Sequence, residues 1–195
     1  MGGCMRWIDD WLPGWQFDEV HHIRSTASPA ALLDAAAAYD PAHDRWINLA
    51  LAMREAPGRL ASGLGLASAL AGRARFGLAD FVVLGRQANA ALAYGLAGRF
   101  WEAGYGLQPL ADAAAFAAFN QPGAAKLLLA FEAQPDGDAT RLTTVTRVLC
   151  TDEAARRRLV SYWALIRPVS GLIRRRILAD ICRVAQAAAM PPPDT

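Results

Sequence analysis

The run Ala125-Lys126-Leu127-Leu128-Leu129-Ala130-Phe131-Glu132-Ala133, the turn Gln134-Pro135-Asp136-Gly137-Asp138 and the run from Thr140 to Cys150, Thr-Arg-Leu-Thr-Thr-Val-Thr-Arg-Val-Leu-Cys, decide the fold. The first run is a continuous apolar strand, and the second has the β-branched content that suits a sheet. Pro, Asp and Gly between them are hairpin chemistry. Two consecutive strands joined at such a turn pair antiparallel. The period then changes. Asp152 and Glu153 stand where a helix start favours negative charge, and Leu159, Trp163, Ile166, Ser170, Ile173, Ile177, Ile181 and Val184 recur at spacings of three and four. This predicts a long helix to about Met190, ended by Pro191-Pro192-Pro193. Pro168 lies inside it and predicts a kink near Ile166, because its ring clashes with the carbonyl four residues back and its hydrogen bond is lost. Ser170 is the only polar member of the stripe: either its hydroxyl bonds back to a carbonyl freed by Pro168, or it is a donor facing a pocket.

Upstream, Phe81-Val82-Val83-Leu84 reads as a buried strand, and in the next one Leu92, Tyr94 and Leu96 alternate with Ala91, Ala93, Gly95 and Ala97. One face of that strand is large and the other nearly bare. The bare face is either approached closely by a helix or walls a cavity. Asp112 to Phe119 reads as a short helix and Pro122-Gly123 as a turn. Near the N-terminus, Phe17 to Arg24 is a first strand, and Ser28-Pro29 forms an N-cap and N1 pair opening an Ala-rich helix to Tyr39. Asp44 can cap a second helix running toward Arg54, while Leu60 to Arg75 is ambiguous between loose helix and loop. Trp7, Trp11 and Trp15 fall at i, i+4 and i+8, on one face of a short helix cut by Pro13-Gly14. Those indoles form either an arm packed on the body or a wall of a ligand pocket.

Composition bounds the function. The chain has 195 residues and 54% hydrophobic content, but 42 of its residues are Ala, so the larger apolar residues are at an ordinary level for a globular domain. Its longest stretches without a charged residue, Leu60 to Gly72 and Ala113 to Ala125, are shorter than the roughly 18 residues of a membrane-spanning helix. Net charge is +2, and the one Lys, Lys126, stands against 19 Arg. Eight of those Arg lie between Glu153 and Met190 with two acidic residues, so the C-terminal helix is basic and the rest acidic. Three cysteines without C-x-x-C spacing suggest reduced thiols, and the first ten residues do not read as a signal peptide, so a cytoplasmic location is expected.

Motifs of metal, dinucleotide, P-loop and nucleophile-elbow sites are absent, so no metal or cofactor is expected. His21 and His22 are adjacent on a strand and point to opposite faces, which makes joint ligation improbable. The triplets Arg156-Arg157-Arg158 and Arg174-Arg175-Arg176 argue for an anionic partner, yet consecutive helical residues spread over about 200° of arc, so neither triplet forms one patch. No nucleic-acid partner is expected.

A strand, two short helices, a run of antiparallel strands and a long C-terminal helix is the element order of the helix-grip fold. Met53-Arg54, Gly98-Arg99-Phe100-Trp101, Phe116-x-x-Phe119-x-x-Pro122-Gly123-x-Ala125-Lys126, Thr146-Arg147-Val148 and Tyr162-Trp163-x-x-Ile166-x-Pro168-x-Ser170-Gly171-Leu172-Ile173-Arg174 together resemble a bacterial family of unknown function in the START/SRPBCC superfamily, which also holds polyketide cyclases and birch-pollen-allergen-like proteins. The likeness spans about Phe17 to Ala188. One departure is Val145, where that family is expected to carry Glu, on the strand face shared with Arg147.

The resemblance implies a curved antiparallel sheet wrapped around a long kinked C-terminal helix, an α+β helix-grip domain over residues 17–190, preceded by an aromatic arm at 1–16 and followed by a disordered tail at 191–195. It also implies a hydrophobic tunnel between sheet and helix for an apolar, lipid-like or polycyclic small molecule, and the bare strand face is compatible with such a tunnel. The candidate ligand-binding residues are Arg54, Tyr94, Trp101, Phe131, Arg147, Tyr162, Trp163 and Ser170, with Arg54, Arg147, Tyr162 and Ser170 as the polar groups. A binding module is favoured over a pocket enzyme of cyclase or hydrolase type and over an interaction protein using the basic helix. A homodimer is left open.

Overall fold

The hairpin that anchors the chain is longer than its composition suggests. In the computed structural model, which describes residues 3–40, 80–102 and 105–189, strand β4 (Ala125–Asp136) pairs antiparallel with β5 (Ala139–Cys150) along their whole lengths. The loop shrinks to Gly137 and Asp138, and Gly137 adopts φ +68°, the left-handed geometry that favours glycine in tight hairpins. Pro135 is tolerated inside β4 because the neighbouring strand β3 (Ala91–Gly98) pairs no further than Glu132, so among the described residues the end of β4 pairs with β5 alone.

Strands β1 (Phe17–Ser25) and β2 (Val82–Gln87) complete a curved, fully antiparallel sheet of order β1-β5-β4-β3-β2. Four helices accompany it among the described residues: α1 (Gly3–Trp11), α2 (Pro29–Ala37), α3 (Ala113–Ala118) and α4 (Glu153–Ala189). Ser28 caps α2, its side chain accepting from the Ala31 amide, with Pro29 in the first turn as expected. Asp112 caps α3 through a 2.7 Å bond from the Ala115 amide. The second helix expected from Asp44, the segment Leu60 to Arg75, the candidate Arg54 and the tail at 191–195 lie outside the described residues.

Both faces of the sheet are covered. On one, Leu92, Tyr94, Leu129, Phe131 and Leu142 meet α2 and the C-terminal part of α4 through Leu32, Leu33, Ile177, Leu178 and Ile181. Nearer the start of α4, Leu96, Val148 and Cys150 meet Ala155 and Leu159. On the other face Ala93, Leu128, Ala130 and Val145 pack with Phe116 of α3 and with Ile8 and Leu12 in and just after α1. This decides the bare strand face for close approach by a helix and against the wall of a tunnel. Ala93 and Gly95 point away from α4, and the room beside them is filled by Phe116 and the N-terminal arm, which therefore belongs to the core. The face of β3 turned toward α4 carries Leu92, Tyr94 and Leu96.

Helix α4 continues through Pro168, whose ring is exposed, so the proline removes one hydrogen bond without ending the helix. Its buried residues fall in two groups, Ala155 and Leu159 at one end and Ile177, Leu178, Ile181, Cys182 and Ala185 at the other. Val184, expected on the buried stripe, is 45% exposed. Ala185 takes the inward position instead, because the packed face is set by Ile177, Leu178, Ile181 and Cys182 and continues one residue later.

Candidate functional site

Between its two anchored ends α4 buries nothing completely from Val160 to Arg176, about 25 Å of helix at 1.5 Å per residue. Trp163, Ile166, Ser170, Gly171 and Ile173 are half-buried there. The sheet beneath explains the change. On the inward face of β1, Phe17, Glu19, His21 and Ile23 alternate with outward residues, and on β5 they stand opposite Val148, Thr146, Thr144 and Leu142 respectively. Two adjacent rungs are therefore polar and are bounded by apolar rungs on either side. The register carries them on across the sheet: Glu19, Thr146, Leu129 and Tyr94 form one row, and His21, Thr144, Phe131 and Leu92 the next. The floor is polar at the β1 edge and apolar toward β3.

The polar end is tightly built. Glu19 is 8% exposed. Ser170 donates to its Oε2 at 2.8 Å, and His21 Nε2 donates to its Oε1 at 2.7 Å. Gly171 of α4 lies against the same pair, so close that a Cβ there would stand 3.3 Å from Glu19 Oε1. Thr144 and Thr146 are 1% and 3% exposed, and their hydroxyls are buried with no hydrogen-bond partner among the described residues. Such groups are uncommon, because each forgoes the hydrogen bonds it had in water. The back-bonding expected of Ser170 is replaced by a bond across to β1. The carboxylate stands between hydroxyl and imidazole, so His21 is not placed to take the Ser170 proton as the base of a nucleophilic triad does.

The candidate residues divide between the two faces. Tyr94, Phe131, Trp163 and Ser170 lie between sheet and α4, where Trp163 packs on Phe17 with ring centroids 5.6 Å apart. Burial pushes the Tyr94 hydroxyl above its ordinary pKa, an effect opposed by Arg86. Tyr162 and Trp101 are half-buried against the cluster of Leu96, Phe100 and Leu159 near the start of α4. Arg147 is on the opposite face. Its guanidinium, 3% exposed, pairs with Asp9 of α1 and lies 3.6 Å from the centroid of the Trp15 ring. With Val145 buried among Leu128, Ala130 and Ile8, the carboxylate for Arg147 comes from the N-terminal arm. Arg147 thus holds the arm and faces away from Ser170.

Glu19, His21, Thr144 and Thr146 were not singled out by sequence as a site. The available signal was the pattern itself: on each strand a polar pair at period two sits between apolar residues of the same face, and the two pairs coincide once the strands are set in register. Of the arginine triplets, Arg156, Arg157 and Arg158 are all exposed, with Arg156 paired to Glu153 at 3.3 Å. Among the described residues, no group of three or more His, Cys, Asp or Glu could hold a metal ion, and no helix is long and apolar enough to cross a membrane.

Fold and site together define an α+β protein in which a long helix bridges a half-polar, half-apolar sheet floor. No protein-family model and no curated protein matches the chain. Among solved structures it is similar to TTHA0849 from Thermus thermophilus, at 10% identity over 89% of this chain and 100% of that one, with a TM-score of 0.31. A likeness of that degree fixes neither fold nor function.

Proposed function

We propose that this protein binds an apolar small molecule, lipid-like or polycyclic, between the sheet and the middle of α4, in the manner implied by its resemblance to the START/SRPBCC superfamily. One observation carries the reading: between Leu159 and Ile177 the helix buries no residue completely, although Trp163 on Phe17 and Ser170 on Glu19 hold it against the sheet. A helix that served only to cover the sheet gains most by burying an unbroken apolar stripe. Here the stripe is relaxed in the middle and kept at both ends, which suits a span that shares its contacts with a ligand. Binding is favoured over a pocket enzyme because Arg147, a candidate for polarising a carbonyl, lies on the opposite face of the sheet paired with Asp9. Cys150 and Cys182 are free and buried, in keeping with a cytoplasmic setting.

Organic extraction of the freshly purified protein followed by mass spectrometry tests the reading. A stoichiometric apolar compound, lost or reduced in Trp163→Ala, is expected. A wild-type protein that yields nothing and takes up no fluorescent apolar probe would overturn it.

A further inference from the structure

We propose that the ligand of this site ends in a hydroxyl group, received by Glu19, Thr144 and Thr146, and is otherwise neutral and apolar. The inference rests on the binding reading above and specifies its ligand class. Each threonine hydroxyl offers one proton and accepts through two lone pairs. Neither Thr144 nor Thr146 spends that capacity on a partner among the described residues, although both are more than nine-tenths buried. Both share the inward face with Glu19 and His21, Thr146 directly opposite Glu19 and Thr144 directly opposite His21. Directly opposed side chains on an antiparallel pair have Cβ atoms about 4.5–5.5 Å apart, a gap that one small polar group can bridge.

The donor and acceptor balance selects that group. Each oxygen of Glu19 accepts one bond, from Ser170 or from His21, and keeps a further lone pair. A partner must therefore give a proton to Glu19 while accepting one from a threonine. A hydroxyl does both. A carboxylate has no proton to give and sets a second negative charge against Glu19 where solvent screening is weak. An ammonium satisfies Glu19 and can donate to the threonine oxygens, but it leaves the threonine protons without an acceptor and brings a full charge into a buried site. The rest of the molecule runs beneath the half-buried Trp163, Ile166 and Ile173 of α4, whose apolar side chains are not fully covered by the protein.

The test uses the full chain loaded with the neutral probe N-phenylnaphthylamine, displaced in turn by decanol, decanoate and decylammonium at neutral pH. Decanol is expected to displace at about tenfold lower concentration than either ion, the worth of one to two buried hydrogen bonds. In Thr144→Val/Thr146→Val that advantage is expected to shrink to about twofold while the probe still binds. Should the double variant not fold, Glu19→Gln, which removes the charge and keeps the shape, is expected to improve decanoate relative to decanol. Equal displacement by all three compounds, a preference for either ion, or a decanol preference untouched by these substitutions would overturn the inference and leave the binding reading standing. A wild-type protein that takes up no probe would instead sink the binding reading, and the inference with it.

Discussion

Phe116 rests directly on Gly95: a Cβ placed on residue 95 would lie 2.6 Å from Phe116 Cδ2 and 2.8 Å from Leu84 Cδ2. This contact closes the second face of the sheet, where α3 sits on β3. Gly95→Ala must therefore displace a fully buried ring in a packed layer, and overpacking of that kind costs about 1–3 kcal/mol. Urea denaturation should show a lower midpoint with an unchanged slope. Gly95→Ala/Phe116→Leu should recover part of the loss, since the smaller side chain makes room. A single variant as stable as wild type would mean that α3 is not seated as described.

The same face carries the second prediction. Arg147 is buried, whereas the Asp9 side chain is 40% exposed, so removing the acid strands a guanidinium inside the protein. The cost of Asp9→Ala is expected between the ~0–1 kcal/mol of an exposed pair and the ~3–5 kcal/mol of a broken buried one. Replacing the arginine as well, in Asp9→Ala/Arg147→Met, takes the unpaired charge away and should restore stability relative to Asp9→Ala alone. A double variant less stable than the single one would show that Arg147 does more than answer Asp9.

How far the sequence carried these features depends on which of them are local. The hairpin turn, the cap at Ser28 and the long C-terminal helix follow from short-range chemistry, and the element order followed from them. The side on which Ala93 and Gly95 lie did not, because alternation separates two faces without saying which helix covers each. The partner of Arg147 was equally out of reach, since Asp9 is 138 residues away in sequence. Glu19 and Thr146 fall between. Each belongs to a visible alternating pattern, but only the β1 to β5 register makes them neighbours.

Asp152 gives a pH-dependent prediction. Its carboxylate accepts from the amides of Ala155 at 2.7 Å and Gly123 at 2.6 Å, joining the start of α4 to the turn before β4. The Ala155 bond, and after it the Gly123 bond, holds its pKa below the ordinary carboxyl value. A group depressed on folding stabilises the native state above its unfolded pKa, about 3.9, and loses that contribution as pH falls through the folded value. The melting temperature of Asp152→Ala should therefore lie below that of wild type by a constant margin from pH 7 to about 5. Below about pH 4 the margin should narrow. Thermal melts followed by circular dichroism across that range would decide it, and a margin unchanged down to pH 2 would exclude the carboxylate as its source.

Gly171 separates stability from binding. A glycine within a helix costs about 1 kcal/mol relative to alanine, so Gly171→Ala gains in helix propensity. The added methyl, however, would stand 3.3 Å from Glu19 Oε1 and 3.5 Å from His21 Cε1. Glu19 has little freedom to yield, because Ser170 and His21 hold its two oxygens at 2.8 and 2.7 Å. Propensity and crowding oppose one another in the free protein, and the melting temperature is expected to move by no more than a few degrees either way. They do not oppose one another in the site. The added methyl presses on the carboxylate that a ligand hydroxyl would use as its acceptor, so the concentration of decanol needed to displace the probe should rise about threefold to tenfold, while that of decanoate changes little. If the variant instead melts far below wild type, or binds decanol as the wild type does, the glycine serves the packing of α4 on β1 and has no part in the site.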